Sequence, residues 1–222
     1  MRIADLFCGA GGAGMGLSRA GFEVVGFDIE PQPHYPFEFR QADALTVDLS
    51  EFDAVWASPP CQMYSIMRNL PWLKDREYWD SVPPTREHLV ASGLPYIIEN
   101  VVGAPLQNYT MLCGGMFGLP LYRHRWFETT FFVSLPGGHP KHRTVISPGR
   151  MLGGRERKSQ YKMQERPDGI RYGFDRPGSA IGHGVGTEKA RVDMGIDWMN
   201  RHELSQAIPP AYSEYLGKAL LA

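Results

Sequence analysis

Cysteine is scarce in this chain and nowhere paired in spacing. Only Cys8, Cys61 and Cys113 occur in 222 residues, and none forms a C-x-x-C unit. That argues against a disulfide framework, suits a reducing compartment and leads to no expectation of a metal. No run of about 18 apolar residues occurs, and the opening MRIADLFCGAGG has no apolar h-region. Neither a membrane span nor a leader is therefore expected, and the expected location is the cytoplasm. An excess of one charge is missing too: the net charge is -1, which excludes a polycation that coats nucleic acid but not a local basic face. No internal repeat is visible, and no lysine follows the glycine-rich turn, so the Walker phosphate loop is excluded.

What is present fits an ordinary globular chain. Hydrophobic residues make up 43% and charged residues 21%, and the length suits one domain with at most a modest insertion. A short apolar strand, Ile3 to Phe7, runs into CGAGGAGMGLSRAG, which becomes helical in pattern up to Gly21. Strand, glycine turn and helix are the start of an open α/β sheet. Further apolar runs cover Val24 to Phe27, Phe52 to Ala57 and Tyr96 to Ile98. They deliver Asp28 and Glu30, then Cys61, then Glu99 and Asn100, with Asp43 after a short turn. In open α/β sheets ligands bind outside the carboxyl ends of the strands, so these polar groups are expected to line one crevice.

From Thr129 to about Gly186 the texture turns rich in glycine, proline and basic residues. Lys141, Arg143, Arg150, Arg155, Arg157, Lys158 and Lys162 face the single acid Glu156 between Thr129 and Lys162. Such a cluster is the footprint of phosphate contact or of a solvated loop. After Pro210 the pattern returns to helix, with proline suited to a helix start. The expected organisation is a core over residues 1–128, a basic insert over 129–186 and a returning segment over 187–222.

The stretch WASPPCQMYS sets Cys61 after two prolines, which suit neither a helix interior nor a central strand. Most cysteines are small buried hydrophobes, so an elbow that presents a thiol needs a reason. GAGGAG alone serves dinucleotides, other nucleosides and plain turns alike, although Asp28 stands where a ribose partner is expected. These residues leave a nicotinamide dinucleotide and S-adenosylmethionine both open. A thiol beside a carboxyl group has one clear use on a pyrimidine. Thiolate addition to carbon 6 of cytosine makes carbon 5 an enamine carbon able to attack an electrophilic methyl group, and a carboxyl at ring nitrogen 3 assists.

The sequence resembles the DNA cytosine-5 methyltransferases through DLFCGAGGAGMGL, SPPCQMYS, ENV at 99–101, RHRWFE at 123–128 and QAIPPAYSEYLG near the end, in that family's order. The resemblance implies a Rossmann-like, S-adenosylmethionine-dependent methyltransferase fold with a mostly parallel sheet and a short irregular target-recognition insert. It implies that Cys61 is the nucleophile, that Glu99 contacts the base, and that Arg125 holds the exocyclic oxygen with Arg123 in support. For the cofactor it implies Phe7 against the adenine, Asp28 on the ribose and Asp43 on the adenine amino group. Gly9, Gly11 and Gly12 would approach the methionine portion, and Ile29 and Pro60 would join them. Nucleic-acid contact falls to Gln62, Ser65 and Arg68 and to Lys141, Arg143, Arg150, Arg155 and Arg157. Cys113 is expected to be a packed core thiol.

Two departures from the family pattern are local. Ser205-Gln206 replace glycine-asparagine, and Leu121-Tyr122 replace the glutamine before RHR. A third is the short insert, which points to few base contacts and limited sequence selectivity. DNA, double- or single-stranded, is the implied partner, in a restriction-modification or phage setting. The same chemistry on RNA or a free cytosine nucleotide stays open, as do a catalytically silent nucleic-acid-binding relative and a companion specificity protein. A nicotinamide oxidoreductase has no use for the PPCQ elbow.

Overall fold

The structure is a computed structural model that describes residues 1–65, 68, 73, 76–140 and 187–222. Seven strands form one sheet in the order β3-β2-β1-β4-β5-β7-β6. They are β1 (Arg2–Leu6), β2 (Glu23–Asp28), β3 (Glu38–Gln41), β4 (Ala54–Ala57), β5 (Tyr96–Asn100), β6 (Thr110–Leu112) and β7 (Arg125–Thr129). The first five are parallel, and β7 runs antiparallel to both β5 and β6. The helices are α1 (Gly12–Ala20), α2 (Val82–Ser92), α3 (Thr187–Met194), α4 (Arg201–Gln206) and α5 (Pro210–Leu221).

Strands covered on both faces read as continuous apolar runs, and alternate residues serve the two faces. Ala4, Leu6, Val25, Phe27, Val55, Ala57 and Ile98 pack with Val82 and Leu89 of α2. Ile3, Val24, Ala54, Trp56, Ile97 and Phe127 pack with Leu17 of α1 and with Tyr212 and Leu216 of α5. The result is a three-layer α/β sandwich.

α1 begins without a side-chain cap after Gly11 (φ 85) and ends at Gly21 (φ 107). There the Phe22 N–H bonds to the Leu17 carbonyl and the Gly21 N–H to that of Ser18, the paired closure that only a left-handed residue permits at low cost. Its small residues let α5 approach closely. A Cβ on Gly16 would stand 2.1 Å from the Pro210 carbonyl oxygen and 2.1 Å from Ser213 Oγ, and Ser213 Oγ donates to the Ala13 carbonyl at 2.8 Å.

Several boundaries differ from the sequence reading. Phe7 lies beyond β1 with φ 56, because the chain must turn there into the glycine loop. Phe52 closes a turn onto the Leu49 carbonyl, and β4 starts only at Ala54. β3, α2 and the antiparallel pair β6 and β7 had no sequence counterpart. β3 (EFRQ) has no fully buried residue, and α2 buries only Val82, Thr85 and Leu89, so neither writes a clear periodicity.

The strand order reverses at β1, which has β2 on one side and β4 on the other. The crevice beyond these strands therefore receives the glycine loop from β1 and the cysteine elbow from β4, and the Ser58 N–H bonded to the Leu6 carbonyl at 3.1 Å ties the two together. Gly16→Ala would drive a methyl group into the α5 backbone. Overpacking of this kind costs about 2 kcal/mol or more, a Tm drop of about 4–8 °C at this size. A melting curve within a degree of the wild type would show that α1 and α5 do not approach so closely.

Candidate active site

The Cys61 elbow is built from pinned carbonyls. The Pro59 carbonyl accepts from Asn100 Nδ2 at 2.9 Å and that of Pro60 from Ser81 Oγ at 2.8 Å. The Cys61 carbonyl accepts from the N–H groups of Tyr64 and Ser65, at 3.0 and 2.9 Å. Proline supplies no donor in return, so β5 and the residue before α2 hold the turn from outside. Cys61 is half-buried at its apex, with Gln62 exposed beside it and Ser65 half-buried. Arg68 is exposed and donates to the Met63 carbonyl at 2.6 Å.

Glu99 lies near the end of β5, 8% exposed. Arg125 at the start of β7 donates through Nε to its Oε1 at 2.9 Å. Ser58 also bonds the carboxyl and accepts from the indole of buried Trp56 at 2.8 Å. Burial pushes the Glu99 carboxyl up, and Arg125 and Arg123 hold it partly back. Arg123 is 6% exposed with φ 29. Burial and neighbouring Arg125 work against its charge, and Glu99 opposes them. Its Nη2 reaches the Ser205 carbonyl at 3.1 Å, while Nε has no partner among the described residues.

These groups act on the thiol. Burial and the Glu99 charge raise the Cys61 pKa, while Arg125 and Arg123 lower it. The resting sulfur is therefore protonated, and its activation depends on the balance of these charges. Cys8 is inert: burial and the carboxyls of Asp5 and Asp28 push its thiol far up.

A second group of candidates lies at the carboxyl ends of β1, β2 and β3. The Asp28 carboxylate accepts from the Gly9 N–H at 3.0 Å and from the Glu30 N–H at 3.1 Å, tying β2 to the glycine loop. Ile29 is 66% exposed, Asp43 follows β3 and accepts from the Leu45 N–H, and Phe7 is half-buried. Gly9 (φ 48) faces open space. Gly11 and Gly12 have a different reason to be glycine. A Cβ on Gly11 would meet Pro36 Cδ at 2.7 Å, and one on Gly12 the Ile208 carbonyl oxygen at 2.8 Å. Their smallness serves packing within the chain. The exposed apolar Ile29, the open loop at Gly9 and the carboxylates beside them fit a nucleoside-bearing cofactor.

Lys141, Arg143, Arg150, Arg155 and Arg157 lie outside the described residues. Sequence reading missed Ser58, Ser81 and Asp5. For Asp5 a signal existed, a carboxylate inside an apolar strand run. It is fully buried, one oxygen receives the Tyr35 hydroxyl at 3.0 Å, and the other has no partner among the described residues.

Residues 1–78 match the model of the C-5 cytosine-specific DNA methylases. That similarity covers about a third of the chain. The match takes in the glycine loop and Cys61 and stops short of Glu99. Solved structures with a similar fold include a protein assigned as a DNA modification methyltransferase encoded within a prophage (E. coli), with TM-score 0.62 and 15% identity over 100% of this chain and 98% of that one. The Entamoeba histolytica methyltransferase EhMeth has TM-score 0.56 and 13% identity, and S. pombe Dnmt2 methyltransferase has 0.55 and 12%, each over 100% of this chain and 98% of its own. At such identities the likeness is one of fold. No curated protein matches the chain significantly. No helix among the described residues is long and apolar enough to cross a membrane.

Two outcomes follow from the charges. Burial raises the Asp5 carboxyl from 3.8 to about 8, so the folded state keeps a proton that the unfolded chain has lost. The Asp5 contribution to stability is full below about pH 4 and is lost as pH rises through about 8. Asp5→Asn should flatten that decline in denaturant midpoint, and an unchanged slope would place the titration elsewhere. Glu99→Gln removes the charge that opposes the Cys61 thiolate. Alkylation of Cys61 by iodoacetamide at fixed pH, followed by peptide mass spectrometry, should speed up about 3- to 10-fold, since each pKa unit is tenfold in thiolate. A slower or unchanged rate would show that Glu99 does not face the thiol.

Proposed function

We propose that this protein is a cytosine-5 methylase that transfers a methyl group from S-adenosylmethionine to carbon 5 of cytosine in DNA, with Cys61 as a covalent nucleophile. The observation that carries the reading is the electrostatic coupling of the thiol on its pinned elbow to the buried Glu99–Arg125 pair. Phe7, Gly9, Gly11, Gly12, Asp28, Ile29, Asp43 and Pro60 would hold the cofactor, which when bound supplies an electrophilic methyl group. Cys61 adds to carbon 6 of the ring, its proton passing to solvent. Glu99 donates to ring nitrogen 3, for which its burial-raised carboxyl is suited. Arg125 holds the exocyclic oxygen, and Arg123, seated on the Ser205 carbonyl, supports Arg125. Once carbon 5 carries its substituent, loss of the carbon 5 proton to solvent expels the Cys61 thiolate, and the ring nitrogen 3 proton returns to Glu99 as the aromatic ring is restored.

The target base must leave the stack to reach an elbow at the sheet edge, at a cost of a few kcal/mol that is smallest for unpaired bases. Gln62, Ser65 and Arg68 border the thiol. Residues 129–186, joining the 1–128 core to the 187–222 return, would supply phosphate contacts through Lys141, Arg143, Arg150, Arg155 and Arg157, which position without reading sequence. Selectivity is accordingly limited. A reducing compartment such as the cytoplasm would keep Cys61 reduced.

Incubation with methyl-labelled S-adenosylmethionine and, separately, duplex DNA, single-stranded DNA, RNA and deoxycytidine nucleotides should give 5-methylcytosine in DNA, with single strands modified at least as fast as duplexes. Label confined to RNA or free nucleotide would overturn the DNA assignment. DNA containing 5-fluorocytosine should trap the wild type and not Cys61→Ser, and an equal adduct with the variant would remove Cys61 from the mechanism.

A further inference from the structure

Away from the Cys61 crevice, three metal-ligating side chains converge at the antiparallel edge of the sheet. The ligand atoms of Cys113, His124 and His139 all lie within 4.8 Å of one another. The two imidazole Nε2 atoms are 2.9 Å apart, and the rings stack at 5.1 Å between centroids. The ladder explains the first pair: Leu112 of β6 pairs with Arg125 of β7, and the next step of an antiparallel register brings Cys113 opposite His124. His139 arrives from the segment that follows β7, where Pro140 packs against Gly115 so closely that a Cβ there would stand 2.6 Å from it.

The geometry of the three side chains carries the site. Cys113 is fully buried at the start of a 3-10 turn, Gly114–Phe117. Burial raises the Cys113 thiol pKa, and the backbone N–H groups of Gly115 and Met116, which bond to its side chain, offset this only in part. Tetrahedral bonds of about 2.0–2.1 Å to nitrogen and 2.3 Å to sulfur put ligand atoms ~3.4–3.6 Å apart, so the cluster closes around an ion by shifts of about 1 Å. Thiolate with imidazole selects zinc among the common divalent cations over magnesium or calcium.

We propose that Cys113, His124 and His139 form a zinc-class metal site that clamps the stem of the basic insert to the β6–β7 edge. On binding, the Cys113 thiol gives its proton to solvent, each histidine donates the Nε2 lone pair while Nδ1 keeps the ring proton, and water completes the tetrahedron. The clamp bears on the catalytic centre through His124, whose carbonyl accepts from Arg125 Nη1 at 2.9 Å.

Tag-free protein, stripped with a chelator and kept reduced without thiols, should take up one equivalent of Zn2+. With Co2+ it should show a thiolate-to-cobalt charge-transfer band and the intense visible bands of tetrahedral cobalt. Cys113→Ser and His139→Gln should each lower Zn2+ affinity by more than about a hundredfold, because even outer-shell partners are worth about 10- to 100-fold. His139 is exposed, so His139→Gln is expected to fold, and a wild-type circular dichroism spectrum checks this. Absence of Zn2+ and Co2+ uptake by the wild type, equal uptake by wild type and His139→Gln, or an octahedral cobalt spectrum would each overturn the site and leave the two rings as a hydrogen-bonded pair.

Discussion

The compensation of one buried carboxylate organises the active end of this molecule. A charge at the position of Glu99 is costly unless it is paired and hydrogen-bonded, and no neighbour on β5 supplies the partner. β7 enters antiparallel on the far side and brings Arg125 to the carboxyl. Ser58, at the exit of β4, bonds the carboxyl and accepts from Trp56. Arg123 stands behind as a second cation and is held in turn by the α4 carbonyl of Ser205. Four segments thus meet because one carboxylate must be satisfied, and the thiol feels all of their charges.

The cofactor side depends on the two ends of the chain. The Trp198 indole donates to the Ala10 carbonyl at 2.8 Å, the Ile208 backbone presses on Gly12, and α5 lies along α1 through Gly16 and Gly217. The glycine loop is shaped from behind by the returning segment, which leaves Gly9 as the loop residue that opens outward. The acid inside β1 belongs to the same construction: Tyr35, which covers Gly26, donates to Asp5 beneath the start of α1. Placing a carboxylate there is tolerable because burial keeps it protonated to about pH 8.

Much of the parallel half was legible because its strands are buried on both faces and therefore written as apolar runs with the chemistry at their ends. β1, the glycine turn, β2, β4, β5 and α5 could be read this way, and with them the positions of Asp28, Cys61 and Glu99. β6 and β7 could not. RWFET carries an arginine and a glutamate, and Glu128 is buried only because Arg86 of α2 meets both its oxygens, at 2.8 and 2.7 Å. A strand whose charges are paired by a distant helix has no local signature. Asp43 had been tied to a short turn, whereas the strand that precedes it, β3, is polar and too exposed to stand out.

What the sequence determined by itself is the set of reactive groups and the order in which strands deliver them. A thiol after two prolines, a carboxylate after YII, a glycine turn after the first strand and acids after the second and third are local statements about chain direction and side-chain type. Tertiary structure alone decided which of these groups meet and in what electrostatic state. The Cys61 pKa is raised and not lowered in the resting protein because burial and Glu99 outweigh two arginines. Gly11 and Gly12 are needed by Pro36 and Ile208, which lie far along the chain. Cys113 reads as a core thiol until an antiparallel register and a returning loop set two imidazoles beside it. Desolvation and through-space charge depend on distance in the fold, and residues 11, 15 or 196 positions apart in the chain carry no local sign that they will touch.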